Sequence, residues 1–284
     1  MTAQAGSKLR AGDRLPAYTV RAHNAATHSD NKIHEDTVAR QYGFRGGLVP
    51  GVTVHAYMTR PIAEALGLEW IERGTMSARF VKPLYEGDQC GVEAKVTAVS
   101  AAGIDFDVSA VNQDGEICGV GTASLPAAAR QAPAVDAVPQ APIPEARPPA
   151  SESSLAAGTV LGTLAFDFVP EGAYAAFLEE VADDLALYRG EHAVAHPGFL
   201  VRWGNAALVQ SVVLGPWIHV SSDVEHFSLA RFGDHIVSSA MVTDLFERKG
   251  HKFVDLDVLM VANGTRPVMR IQHRAIYEVR TSAG

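Results

Sequence analysis

Two stretches decide how this chain is read: "VPGVTVHAYMTRPIAEALG" at Val49–Gly67 and "HPGFLVRWGNAALVQSVVLG" at His196–Gly215. Each opens on a Pro-Gly pair, Pro50-Gly51 and Pro197-Gly198, and runs on as an apolar segment of helix length. Proline suits the first helical position, where an N–H has no intrahelical acceptor to lose. In the first stretch Val49, Val52, Val54, Ala56, Met58, Ile62, Ala63, Ala65 and Leu66 leave little polar face. A helix apolar nearly all round must be enclosed, here by the chain immediately downstream. Pro61 marks a kink within it.

The same pattern succeeds both helices. After the first comes "SARFVKPLYEGDQC" with Gly87-Asp88 at a turn; after the second comes "EHFSLARFGDHIV" with Gly233-Asp234. The spacing from helix-opening Gly to turn Gly is nearly equal in the two, which suggests one domain duplicated. Beyond each turn the apolar period changes from helical to alternating: "CGVEAKVTAVS", "IDFDVSAVNQDG" and "EICGVGTASL" in one half, "HIVSSAMVTDLFERKG", "KFVDLDVLMVANG" and "PVMRIQHRAIYEV" in the other. Gln113-Asp114-Gly115 and Asn263-Gly264 supply turns, so these segments predict antiparallel strands joined by hairpins. One enclosed helix on a meander of long strands is an α+β arrangement. The halves, 1–126 and 151–284, are separated by 127–150, "AAARQAPAVDAVPQAPIPEARPPA" from Ala127, whose Ala/Pro composition reads as an extended, semi-rigid linker.

Bulk properties narrow the function. With 284 residues, 47% hydrophobic and 20% charged, the chain has the composition of a soluble globular protein of two ordinary domains. No apolar run reaches the length a bilayer span requires, and the N-terminal sequence has no secretory h-region. Cys90 and Cys118 stand too far apart for a zinc cluster or a disulfide framework, in keeping with a reducing cytoplasm. A net charge of −8 argues against nucleic acid as a partner. Local cations such as Arg45, Arg79 and Lys82 remain able to hold the phosphates of a small ligand. No nucleophile elbow, P-loop or dinucleotide-binding glycine pattern is present, so no cofactor is called for.

Just upstream of the first helix, "NKIHEDTVARQYGF" (Asn31–Phe44) leads into "GLVPGV", and "RFVKPLYEGD" (Arg79–Asp88) comes after the helix. The arrangement resembles the MaoC-like, or (R)-specific enoyl-CoA hydratase, family of double hotdog proteins, with Asn31, Ile33, His34, Asp36, Ala39, Gly43, Phe44 and Gly51 matching its signature at ungapped spacing. The resemblance covers the first half closely and the second only in layout. It implies a double hotdog fold, with the halves as an internal pseudo-dimer and room for a homodimer of whole chains. It also implies a hydratase or dehydratase acting on an acyl-CoA or acyl-carrier thioester, with the second half, which lacks the motif, shaping the acyl pocket. Three positions depart: the catalytic Asp of the family falls on Ser29, its Pro before the His on Lys32, and its helix-start His on Pro50.

Hydrating an enoyl thioester takes a base for water, an acid for the α-carbon and donors for the enolate oxygen. The resemblance puts His34 in the base role, with Asn31 orienting the water and Asp30 or Ser29 completing the set. The competing reading is that His34 only leads into the short helix "EDTVARQYG". Gly51, among the unpaired N–H groups of a helix start, is the implied oxyanion site, and a tolerated N-terminal glycine is its bland rival. Substrate contacts are assigned to Gly47, Val49 and Pro50 at the helix start, to Tyr57 on the helix beside His55 and Arg60, and to Arg79 and Lys82. His192 and His196 stand four apart, but Pro197 comes at once and no metal site is assigned. Two other functions compete: a non-catalytic acyl-thioester binding subunit, marked by the missing Asp at Ser29, and a hotdog thioesterase, for which the central helix offers only Glu64.

Overall fold

A computed structural model describes residues 9–280. The first half contains β1 (Tyr18–Arg21), α1 (Asp36–Gln41), α2 (Gly51–Leu66), α3 (Leu68–Arg73), β2 (Thr75–Phe80), β3 (Gln89–Ser100), β4 (Gly103–Asn112) and β5 (Ile117–Pro126). The second repeats the plan with β6 (Leu164–Asp167), α4 (Ala173–Glu180), α5 (Pro197–Ser211), β7 (Ile218–His226), β8 (His235–Arg248), β9 (His251–Ala262) and β10 (Arg266–Glu278). Among the described residues the strands form one antiparallel sheet in the order β1-β3-β4-β5-β2-β7-β10-β9-β8-β6. From the middle outward, each half gives the same sequence of strands. The halves join where β2 pairs with β7, from Thr75 opposite Glu225 to Arg79 opposite Ser221.

The two central helices occupy the inside of this sheet. Along α2 the buried set runs from Val52 through Ile62 and Ala63 to Leu66, which is the enclosure its apolar composition demands. The helix passes through Pro61 without ending, so the proline lies inside a continuous helix. Where α2 meets α5, a Cβ on Gly198 would stand 2.6 Å from the Cβ of Ala56, so only glycine permits this approach.

The two Gly-Asp turns are built alike. Gly87 and Gly233 have φ of 81° and 85°, and the carboxylates one residue on accept from the backbone three residues back, Tyr85 N–H to Asp88 at 3.0 Å and Arg231 N–H to Asp234 at 2.7 Å. Each carboxylate is also held by an arginine, Arg45 in the first half and Arg266 in the second. Residues 127–150 carry no named helix or strand, yet they do not hang free. Val138 is buried against Leu259 and Val261, Ala141 and Thr163 exchange hydrogen bonds, and Ala150 N–H donates to the Val213 carbonyl at 2.9 Å. Tertiary contacts pin the segment to both halves, since Arg130 also donates to the Gly74 carbonyl and Ala127 N–H to the Ala102 carbonyl.

Candidate functional site

Between α2 and α5 opens a cleft of about 590 Å³. Ser29, Asp30, Asn31, His34 and Pro50 line it from the first half, with Val52 and Thr53. Facing them are Glu180 at the end of α4, then Phe199, Arg202, Trp203, Asn205, Ala206, Val209 and Gln210 along α5, and Trp217.

Asn31 starts a single 3-10 turn, Lys32–His34, and its amide is used completely. The oxygen accepts from Ile33 N–H at 3.4 Å and from Trp217 N–H at 3.1 Å; the nitrogen donates to the Trp217 carbonyl at 2.9 Å and faces His34 Nε2 at 3.2 Å. Since a carbonyl only accepts, the 2.6 Å contact between His34 Nδ1 and the Leu48 carbonyl places the proton on Nδ1. Nε2 is then the unprotonated nitrogen and accepts from the Asn31 amide, and His34 lines the cleft. Burial lowers the His34 pKa from its ordinary value, with the Leu48 bond opposing in part, so the neutral form dominates near pH 7. Gly47 makes this placement possible: a Cβ there would stand 2.1 Å from the His34 carbonyl oxygen, which instead receives the Asn24 amide at 2.9 Å.

The start of α2 borders the same cleft. Pro50 is the N-cap and offers no side-chain acceptor. Thr53 and Val54 N–H turn back to the Pro50 carbonyl, while the amides of Gly51 and Val52 donate to no other described group. They are the ordinary orphan donors of a helix start, with the positive end of the helix dipole behind them. The side of Gly51 where a Cβ would stand is already taken, by His219 Nδ1 and the Phe80 ring at 2.9 Å. The glycine is therefore required for packing on that side, whatever its N–H does.

Of the remaining assigned positions, all but Ser29 and Asp30 lie apart from the cleft. Tyr57 is buried in the core and its hydroxyl accepts from His23 N–H at 3.1 Å. Val49 is core and donates its N–H to Leu84. His55 is fully buried, and Arg60 pairs with Asp183 and Asp184. Arg79 is exposed on β2, and Lys82 pairs with Glu116 at the surface. His192 is 93% exposed while His196 is fully buried, so the two do not converge. Ser29 Oγ donates to the Asn31 carbonyl at 3.3 Å and Asp30 is exposed at the cleft wall.

The residues that sequence alone did not single out come from the second half. Glu180 lies near Arg202 at 3.7 Å, and burial raises its carboxyl pKa although Arg202 opposes. Trp203 stacks on Phe166 with ring centres 4.1 Å apart, forming with Phe199 an aromatic wall. One signal was available: Phe199, Trp203, Ala206 and Gln210 recur at the spacing of one helix face.

No family profile matches the chain, and no curated protein matches it in sequence. Solved structures do match over nearly its whole length. A protein assigned as a MaoC domain dehydratase from Chloroflexus aurantiacus J-10-fl superposes with a TM-score of 0.67 at 12% identity, covering 96% of each chain. A Mycobacterium tuberculosis protein, Rv0216, described as having a double hotdog fold, gives 0.67 at 15% identity over 94% of this chain and 96% of that one.

The fold is a double hotdog.

Among double hotdog proteins the likeness is not limited to one chemistry. A protein assigned as an oleoyl thioesterase from Lactobacillus plantarum superposes at 0.52 with 10% identity, over 98% of this chain and all of that one. The neighbours of this hotdog chain therefore include both dehydratases and thioesterases.

Proposed function

We propose that this protein is a hydratase or dehydratase of acyl thioesters, with an enoyl thioester of coenzyme A or of a carrier protein as substrate. The observation that carries the reading is the fixed tautomer of His34. A neutral imidazole whose Nδ1–H is spent on Leu48 keeps its basic lone pair on Nε2, where the Asn31 amide donates at 3.2 Å until a water takes that place, on a residue that lines a cleft walled on one side by aromatic and aliphatic residues. In the hydration direction His34 Nε2 takes a proton from water as its oxygen bonds to the β-carbon. The alkene electrons move onto the thioester oxygen, for which the N–H groups of Gly51 and Val52 at the start of α2, unpaired among the described residues, are the donors. The α-carbon then collects a proton, for which the Glu180 carboxyl, held up by burial, is the nearest fit in the cleft. Proton exchange with solvent resets both groups.

The family Asp is absent at Ser29, and a second reading takes its weight from that position: a subunit that binds acyl thioesters without turning them over. Crotonyl-CoA and longer enoyl-CoA esters separate the two. The expected result is loss of the enoyl absorbance with wild type and its abolition in His34→Ala. Binding without turnover of any ester would favour the second reading, and release of free thiol would favour a thioesterase.

A further inference from the structure

Beneath the cleft lies a chain of buried polar groups that the proposed chemistry does not use. The Asn205 oxygen on α5 meets His273 Nε2 at 2.8 Å; His273 Nδ1 meets Ser222 Oγ at 3.0 Å; and Ser222 Oγ meets His219 Nε2 at 2.9 Å. Ser222, His273 and His219 are 0%, 1% and 5% exposed, and the two imidazoles stack with centres 4.2 Å apart. Both ends are seated on glycines of the central helices. A Cβ on Gly204 would stand 3.0 Å from His273 Nδ1, and a Cβ on Gly51 2.9 Å from His219 Nδ1.

The chain has a direction. His219 Nδ1 is buried with no hydrogen-bond partner. At the other end the Asn205 atom facing His273 Nε2 is an oxygen, which only accepts, so the His273 proton is on Nε2, its Nδ1 accepts from Ser222, and Ser222 Oγ is left to accept from His219. The proton of His219 is then on Nε2 and donates to Ser222. Ser222 in turn donates to His273 Nδ1, and His273 Nε2–H donates to the Asn205 oxygen. Burial keeps both imidazoles neutral, as this pattern requires. It leaves the Asn205 NH₂ group with no acceptor among the described residues, on a residue that lines the cleft.

We propose that Asn205 is a preset hydrogen-bond donor to an oxygen of the bound acyl thioester, with His273, Ser222 and His219 as positioning residues that fix the orientation of its amide. The proposal rests on the acyl-thioester reading for its ligand. It adds a recognition element contributed by the half that lacks the motif. The oxygen is either the thioester carbonyl, common to all such substrates, or an oxygen farther along the acyl chain. Its neighbours Phe199, Trp203 and Ala206 on the same wall are largely apolar.

The test is calorimetric binding of hexanoyl-CoA and 5-oxohexanoyl-CoA, neither of which can be hydrated, to wild type, Asn205→Ala and Asn205→Asp. Asn205→Ala is expected to weaken binding roughly tenfold, one neutral hydrogen bond. Asn205→Asp should weaken it further, because an acceptor then faces an acceptor. Equal losses for both esters assign the carbonyl, and a loss confined to the oxo ester assigns the distal oxygen. His273→Phe should add little loss in the Asn205→Ala background, which a merely structural role would not produce. In the ¹⁵N spectrum of wild type His273 and His219 should both carry the proton on Nε2. Unchanged affinity in Asn205→Ala, or protons on Nδ1, overturns the proposal and leaves the hydratase reading standing. Binding without turnover of enoyl esters overturns the hydratase reading and leaves this one, and binding of neither ester overturns both.

Discussion

The starts of α2 and α5 have the same backbone and opposite fates. Pro50 and His196 sit at the N-cap with nearly identical dihedrals, φ −55° and ψ 138° against φ −63° and ψ 133°. In α5 the His196 ring closes the end: Nδ1 accepts from Gly198 N–H at 2.9 Å and Nε2–H faces Asp183 at 3.3 Å, all of it buried. In α2 a proline stands there instead, and the end stays open on the cleft. One helix start is thus closed by a side chain and the other left open, and the difference lies in two positions, Pro50-Gly51 against His196-Pro197, where Pro197 has no N–H to satisfy.

The comparison can be broken most severely at the open end. His34→Ala should cut turnover of enoyl-CoA esters by about 10²–10⁴-fold while circular dichroism and melting stay near wild type, since general-base contributions are of that size. Activity surviving intact in that variant would remove the base assignment. At the closed end the loss should fall on stability instead. His196→Ala takes away the cap and leaves Asp183, 2% exposed, with Arg60 as its main partner; denaturant unfolding should show a loss on the order of 3 kcal/mol with little change in KM.

Acid should weaken the region where the halves meet before it affects the rest. Burial lowers His55, His226 and His273 to about 3. Their folded pKa values lie below the unfolded value of about 6.5, so the unfolded chain binds more protons in between. Stability is full above that value and falls as pH drops from about 6.5 towards 3. Urea midpoints measured between pH 7 and pH 4 would show it, and a flat profile would contradict it. The acid limb of kcat/KM should for the same reason lie below the usual histidine value, because His34 is shifted in the same direction and is active when neutral. The smallest effect sharpens the comparison. Pro50→Ser supplies the acceptor that α2 lacks; it should lower affinity for acyl-CoA a few-fold as the helix start becomes occupied, with stability changed by about 1 kcal/mol or less.

The second half shows why part of the site was illegible. Ser29, Asp30, Asn31 and His34 fall within six positions, so any local fold that bends there brings them together. Tyr57 lies on a helix enclosed on all sides, where composition does not tell the cleft face from the core face, and it points to His23. Arg79 is on the strand that joins the halves, and the sheet turns it away from the cleft. Asn205, Glu180 and Trp217 are more than a hundred residues from the motif, and only sheet closure sets them opposite it.

By itself, the sequence determined the two enclosed helices, the alternating strands and the repeated Gly-Asp turns, because each is written in a local period of apolar residues or in a conformation that glycine favours. It also determined which polar residues gather ahead of α2. Tertiary structure alone decided which nitrogen of His34 is bare, since Leu48 and Asn31 reach the ring from outside its own turn. It decided as well which helix start is open, because a cap is effective only where the chain folds its acceptor onto a free N–H. Long-range contacts of this kind carry no period in the sequence.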